Sequence, residues 1–132
     1  MPFLDYFELT ALADKRIGQL SGGEQQRANI VRALLQNASV ILLDEPCNHL
    51  DIRHRHRLMQ YLNDNKPFFI SIMVLHDLNL AARYADHIIL INKGKPAAEG
   101  KSCEILKSPL PEEIYGWPLE RICDGDRVYF KV

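Results

Sequence analysis

Two short segments carry the residue types that phosphate chemistry needs. Leu20-Ser21-Gly22-Gly23-Glu24-Gln25-Gln26-Arg27 puts a serine and two glycines where an amphipathic helix begins. Glycines let a backbone approach an anion closely, and the first free N–H groups of a helix lie at the positive end of its dipole. The Ser21 hydroxyl adds one more donor. An ordinary capped helix would use the same three residues only as a turn. The second segment, Val40-Ile41-Leu42-Leu43-Asp44-Glu45-Pro46, is an apolar run ending in two adjacent carboxylates. Strand ends of this kind face the ligand crevice of α/β proteins. Asp44 could hold Mg²⁺, a hard cation that takes carboxylate oxygen. Glu45 could polarise an attacking water; the plainer alternative is an acidic turn in solvent. His76 follows the next apolar run, residues 68–75, which sets it at the same sheet edge. An imidazole there can bond a phosphate oxygen and a water together, where a lone histidine would read as structural.

The elements that must position these residues alternate. Residues 6–13 read as the end of a helix. From 24 to 36, Ala28, Ile30, Val31, Ala33, Leu34 and Leu35 recur at helical spacing, with Arg27 and Arg32 outward. An all-apolar strand over 40–43 follows, then a charged helix over 52–62, a strand over 68–75, a helix over 78–84 and a strand over 87–91. This alternation predicts an α/β sheet with crossover helices. A turn at Gly94 sends residues 96–99 back as a hairpin. Beyond Lys101 come short helices over 103–106 and 111–115. Edge strands over 119–123 and 127–131 turn at Asp124-Gly125-Asp126. Trp117 and its aromatic neighbours are expected in the core of this last part.

The 132 residues suit one domain, with 47% apolar and 25% charged side chains. Sixteen Lys+Arg against seventeen Asp+Glu give no general pull toward nucleic acid or an anionic membrane. No apolar run approaches the length of a membrane span, and the first residues lack the pattern of a signal peptide. Cys47, Cys103 and Cys123, odd in number and widely spaced, suit a reducing cytosol. Three decoys fall away. Gly94 to Gly100-Lys101-Ser102 has five residues between its glycines where a phosphate loop needs four, and Pro96 and Glu99 spoil it further. Cys47, His49, His54 and His56 lack the paired spacing of a metal site, and Arg53, Arg55 and Arg57 lack the aromatics of a nucleic-acid platform.

Taken with Asn48-His49-Leu50-Asp51 and His76, the two segments resemble the C-terminal half of an ABC transporter ATPase: signature motif, Walker B strand, D-loop and switch histidine, in that order. Leu50-Asp51-Ile52-Arg53-His54 and His76-Asp77-Leu78-Asn79-Leu80-Ala81 are similar to the branch that imports iron-siderophore, haem or cobalamin complexes. The resemblance implies a partial P-loop NTPase-like α/β sheet over residues 1–100, with a small appendage over 101–132. It implies ATP and Mg²⁺ as cofactors and a head-to-tail dimer with a second ATPase subunit. Leu20, Ser21, Gly22, Gly23 and Glu24 would meet the phosphates of ATP held by that partner. Asp44 would coordinate Mg²⁺, Glu45 would act as general base, His76 would brace the γ-phosphate, and Asp51 would carry contact between the two sites. Cys47 stands where the family more often has Thr or Ser. An integral-membrane permease would be the other partner, which places the chain in the cytoplasm, peripheral on the inner face of the membrane.

Nineteen residues precede Leu20, too few for the family's phosphate loop, adenine-stacking aromatic and Gln loop. The chain alone is therefore expected to hydrolyse ATP weakly or not at all, and its apolar strands to have unpaired edges. Two other readings exist. One is an orphan lobe that pairs with an intact ATPase and donates only its signature edge. The other is the C-terminal lobe of a chromosome-maintenance or repair ATPase, which would require a coiled coil that residues 1–19 do not show.

Overall fold

The computed structural model describes residues 2–131, in two compact units, Met1–Leu75 and His76–Val132. In the first, α1 (Pro2–Tyr6) is stopped by Glu8, whose backbone is left-handed at φ 56°. The Glu8 N–H donates to Asp5 O (3.1 Å) and the Leu9 N–H to Leu4 O (2.7 Å), the paired bonds of a Schellman ending. The helix expected over 6–13 is thus broken at its third residue, and short 3₁₀ turns follow at Thr10–Leu12 and Ile17–Gln19. Tyr61 anchors α1 through ring contacts with Phe3 (5.7 Å), Tyr6 (5.4 Å) and Phe7 (5.7 Å).

Helix α2 (Gly22–Leu34) begins two residues earlier than its apolar spacing shows, because Ser21 caps it. The Glu24 N–H donates to Ser21 Oγ (3.3 Å) and the Ser21 N–H to Glu24 Oε2 (2.7 Å), a reciprocal capping box. Strand β1 (Val40–Asp44), helix α3 (Ile52–Asp64) and strand β2 (Ile70–Val74) form a β-α-β unit. The strands are parallel, in register from Val40↔Ile70 to Asp44↔Val74. Ile41 and Leu43 are buried, as are Ile30, Val31 and Leu34 of α2 and Leu58, Met59 and Leu62 of α3. The opposite face of the pair, made of Val40, Leu42, Ile70, Ile72 and Val74, is open, with Leu42 73% exposed.

In the second unit, Asp77 caps α4 (Leu78–Tyr84), accepting from the N–H groups of Asn79 (2.9 Å) and Leu80 (3.0 Å). Strands β3 (His87–Asn92) and β4 (Lys95–Lys101) form an antiparallel hairpin. Lys93 and Gly94 both have positive φ (50° and 75°), the geometry of a type I′ turn, which sends β3 into a hairpin. Gly100 lies inside β4 opposite Ile88, so the Gly94–Gly100 decoy is a hairpin and no phosphate loop. Lys101, with which the sequence reading begins the appendage, is the junction of β4 with α5 (Ser102–Lys107). Helix α6 (Leu110–Tyr115) ends at left-handed Gly116 (φ 64°), and β5 (Glu120–Asp124) pairs with β6 (Arg127–Lys131). The core here is Leu106, Val128 and Phe130, with Leu78, Ala82, Ile88 and Leu119 against it. Trp117, expected in that core, is 71% exposed: aliphatic side chains and Phe130 fill the space.

One side chain binds α4 to the last strand. Asn79 Nδ2 donates to Phe130 O (2.9 Å) while the Phe130 N–H donates to Asn79 Oδ1 (2.8 Å), so the amide acts as one rung of a sheet.

Three outcomes follow from these contacts. Asn79→Ala strips both partners from Phe130, and the expected cost is about 1–3 kcal/mol, read as faster amide exchange at Phe130 without loss of the β3–β4 hairpin. At the cap of α2, Ser21→Ala is expected to cost about 1 kcal/mol in chemical denaturation. The bonds from Ser21 hold the Glu24 carboxyl below its ordinary 4.5. A depressed folded value means that the contribution is complete above pH 4.5 and is lost as pH falls through the folded value. The stability gap between the wild type and Glu24→Ala should therefore close below pH 4.5 in denaturation series.

Candidate functional site

The first unit brings together the two segments that the sequence singled out. A Cβ added at Gly23 would stand 2.8 Å from the carbonyl oxygen of His49, and one at Gly22 would stand 3.8 Å from the His49 side chain. Real Cβ atoms do not come that close to a carbonyl, so the approach of these two backbones requires glycine at 23. Gln26 extends the contact, its Nε2 donating to Pro46 O (3.2 Å), and Gln25 Nε2 donates to Leu20 O (2.9 Å). The start of α2 is therefore seated on the loop that leaves β1. Leu20 is half-buried and Ser21 exposed. The bond from the Glu24 N–H uses the Ser21 oxygen as acceptor and leaves the hydroxyl able to donate.

Asp44 is the last residue of β1, exposed, opposite Val74 in the ladder. Glu45 follows in a left-handed conformation (φ 43°), a strained setting for a non-glycine residue. Its N–H donates to Val74 O (3.2 Å), so β2 holds the backbone as the chain turns out of the sheet. Asn48 holds both ends of the residue. Its backbone N–H donates to Glu45 O (3.1 Å), and its Nδ2 donates to Glu45 Oε2. Pro46 and Cys47 are buried, His49 is left-handed (φ 60°) and Leu50 is buried. The two carboxylates thus stand on a short loop pinned at both ends. Their all-oxygen donor set suits Mg²⁺.

Asp51 ends this loop as the cap of α3. Its Oδ1 accepts from the His54 N–H (2.8 Å) and lies 2.9 Å from His54 Nδ1. The His54 backbone bond, then the ring bond, hold the Asp51 carboxyl below its ordinary 3.8, with Arg27 adding to the effect. His76 opens the second unit, exposed, just before Asp77 and α4. Sequence reading missed Asn48 as the partner of Glu45, His49 as the surface met by Gly23, and the contacts of His54. Asn48 could have been found, because an Asx residue three positions after a carboxylate in a turn is a local pairing.

The comparisons agree with this geometry. A family model described as ABC transporter matches residues 2–48. The ferric enterobactin transport ATP-binding protein FepC of Escherichia coli K12 is 44% identical over 110 residues, covering 82% of this chain and 41% of FepC. A hemin import ATP-binding protein, HmuV of Photobacterium damselae subsp. damselae, is 37% identical over 124 residues, covering 89% of this chain and 47% of HmuV. Among solved structures, a transporter assigned to the metal-chelate type, in an inward-facing conformation, superposes with a TM-score of 0.80 at 27% identity, over 99% of this chain and 54% of that one. A dimeric bacterial ABC transporter cassette gives 0.70 at 36% identity, over 76% and 44%. The chain spans about half the length of the relatives it matches. Together with the Ser21 turn and the Asp44-Glu45 strand end, these likenesses match the chain to the signature and Walker B half of ABC transporter ATP-binding proteins.

Proposed function

We propose that this chain is part of the ATP-hydrolysing subunit of an importer, coupling ATP hydrolysis to uptake of a metal chelate such as an iron-siderophore, haem or cobalamin complex. The observation that carries the reading is the close packing of Gly23 on His49, where an added Cβ would stand only 2.8 Å from His49 O, which seats a glycine-opened helix start on the carboxylate loop. The names of the relatives, which include ferric enterobactin, hemin and petrobactin import, support the metal-chelate class.

ATP with Mg²⁺, when bound, supplies the phosphoanhydride and the charge that polarises it. The residues of this chain would do the rest. Leu20, Ser21, Gly22, Gly23 and Glu24 would form the edge that closes over the phosphates bound by a second ATPase subunit. The Ser21 hydroxyl and the first N–H groups of α2 would donate there. Asp44 would hold Mg²⁺ through a carboxylate oxygen. Glu45 would take a proton from the attacking water, its carboxyl oriented by Asn48. His76 would brace the γ-phosphate, and Asp51 would report across the dimer. A permease would complete the assembly at the cytoplasmic face of the membrane.

Within these 132 residues no Gly-x-x-x-x-Gly-Lys-Ser/Thr segment occurs, so the phosphate loop must come from other sequence. The open apolar face of β1 and β2 agrees with that requirement, because parallel strands are normally covered on both sides.

Combining the chain with the N-terminal half of FepC is expected to give ATP turnover. Glu45→Gln should lower kcat by about a hundredfold or more while ATP binding persists. The purified chain alone should show none; turnover by it, abolished by Glu45→Gln, would overturn the reading. In sedimentation the chain alone should self-associate, and Leu42→Lys on the open face should shift it toward monomer.

A further inference from the structure

Both ring nitrogens of His54 face carboxylates. Nδ1 lies 2.9 Å from Asp51 Oδ1 and Nε2 lies 3.2 Å from Glu8 Oε2, with the side chain only 11% exposed. Carboxylates accept and do not donate, so both contacts are hydrogen bonds only when the ring donates from both nitrogens. With a single proton the ring would hold one carboxylate and turn a lone pair on the other. Arg53 and Arg57 flank the arrangement and pair with Glu8. Burial pushes the Glu8 carboxyl up, but Arg53, the bond from His54 and Arg57 together hold it below 4.5.

Two details argue against an incidental cross-link. Glu8 occupies the left-handed position that ends α1, where glycine is the easy choice. A glutamate there accepts backbone strain and in return places its carboxylate between Arg53, His54 and Arg57. Second, both bonds from His54 to Asp51 fall on the same oxygen, Oδ1. One bond would leave the carboxyl group free to swing; two, from the backbone and from the ring, fix its rotation and so fix where Oδ2 points.

We infer that His54 is a positioning residue for Asp51, held in place by Glu8, so that the end of α1 sets the orientation of the carboxylate that meets the second subunit. This rests on the proposed role of Asp51. The linkage spans 46 positions from Glu8 to His54 and joins the segment before the Ser21 turn to the loop after Glu45. It gives the region upstream of the Ser21 turn a direct mechanical hold on the dimer contact.

The test has two arms. In NMR of the labelled chain, Glu8→Gly removes the carboxylate and relieves the left-handed strain, so the helix end survives. It should shift both the His54 Nδ1 signal and the Asp51 carboxyl carbon. In a His54→Phe background the same Glu8→Gly change should leave the Asp51 carboxyl carbon unmoved. An Asp51 signal indifferent to Glu8→Gly, or moved equally with and without His54, overturns the inference. In the complex with the FepC N-terminal half, Glu8→Gly and His54→Phe should each lower kcat about fivefold with KM for ATP unchanged. Neither should add to the loss caused by Asp51→Asn. An active wild-type complex whose kcat ignores Glu8→Gly also overturns it. A wild-type complex with no turnover counts against the proposed function alone, and the NMR arm still decides whether Glu8 orients Asp51 through His54.

Discussion

No side chain fits at position 23. A single methyl group there would stand 2.8 Å from the His49 carbonyl oxygen, and neither backbone can retreat cheaply. Gly23 is in the first turn of α2, whose start is fixed by the Ser21–Glu24 box. His49 is in the loop tied through Asn48 to Glu45 and through Leu50 to the buried core. The arrangement of the first unit follows from this contact. With Gly23 against His49, Gln26 reaches Pro46 O and the exposed Ser21 turn lies beside the carboxylate loop. The need for glycine at 23 is thereby one of packing. At Gly22 an added Cβ would meet the His49 side chain at an ordinary contact distance of 3.8 Å, so the packing does not demand glycine there.

The loop on which Gly23 rests is itself strained. Glu45 and His49 both have positive φ, at 43° and 60°, and each such residue costs on the order of 1–3 kcal/mol when it is not glycine. The loop tolerates this because its surroundings over-determine it. The Glu45 N–H is fixed to Val74 O, the Glu45 carbonyl accepts from Asn48, Pro46 and Cys47 are buried between the strained positions, and Leu50 is buried just after them. Strain in such a place aims a side chain. Turning sharply at Glu45, immediately after β1, separates the direction of its carboxylate from that of Asp44, which still follows the strand pleat. Two adjacent carboxylates can then serve two different atoms.

Much of this was legible in the sequence because it is local. The apolar run over 40–43 and the alternating hairpin signals near Gly94 and Gly125 each name an element within a few residues of where it lies. The start of α2 was legible from Ser21 as a capping residue, even though apolar spacing alone begins later. What escaped notice is long-range or breaks a propensity. Glu8 ends a helix without Gly or Pro, because the Arg53 and Arg57 pairs that hold it lie 45 and 49 positions away. Trp117 was expected in a core, yet the space is taken by Val128 and Phe130, two residues apart on β6, packed with Leu106 of α5. The approach of His49 to Gly23 depends on the exit angle of a loop, which no periodicity encodes.

Composition hid one further asymmetry. An apolar content of 47% is ordinary for a protein of this size, but its placement is not. In β1 the buried and exposed positions alternate strictly, and two of the exposed ones, Val40 and Leu42, are as apolar as the buried Ile41 and Leu43, with only the terminal Asp44 polar. A strand meant to face water on one side would carry polar residues there. Ile70, Ile72 and Val74 of β2 repeat the pattern on the same face. The β1–β2 pair is therefore written for cover on both sides, and the first unit supplies cover on one. Asp44 ends β1 beside Val74, at the rim of that open face. Whatever covers the face also borders the Asp44 carboxylate, so covering the sheet bears directly on the surroundings of this strand end.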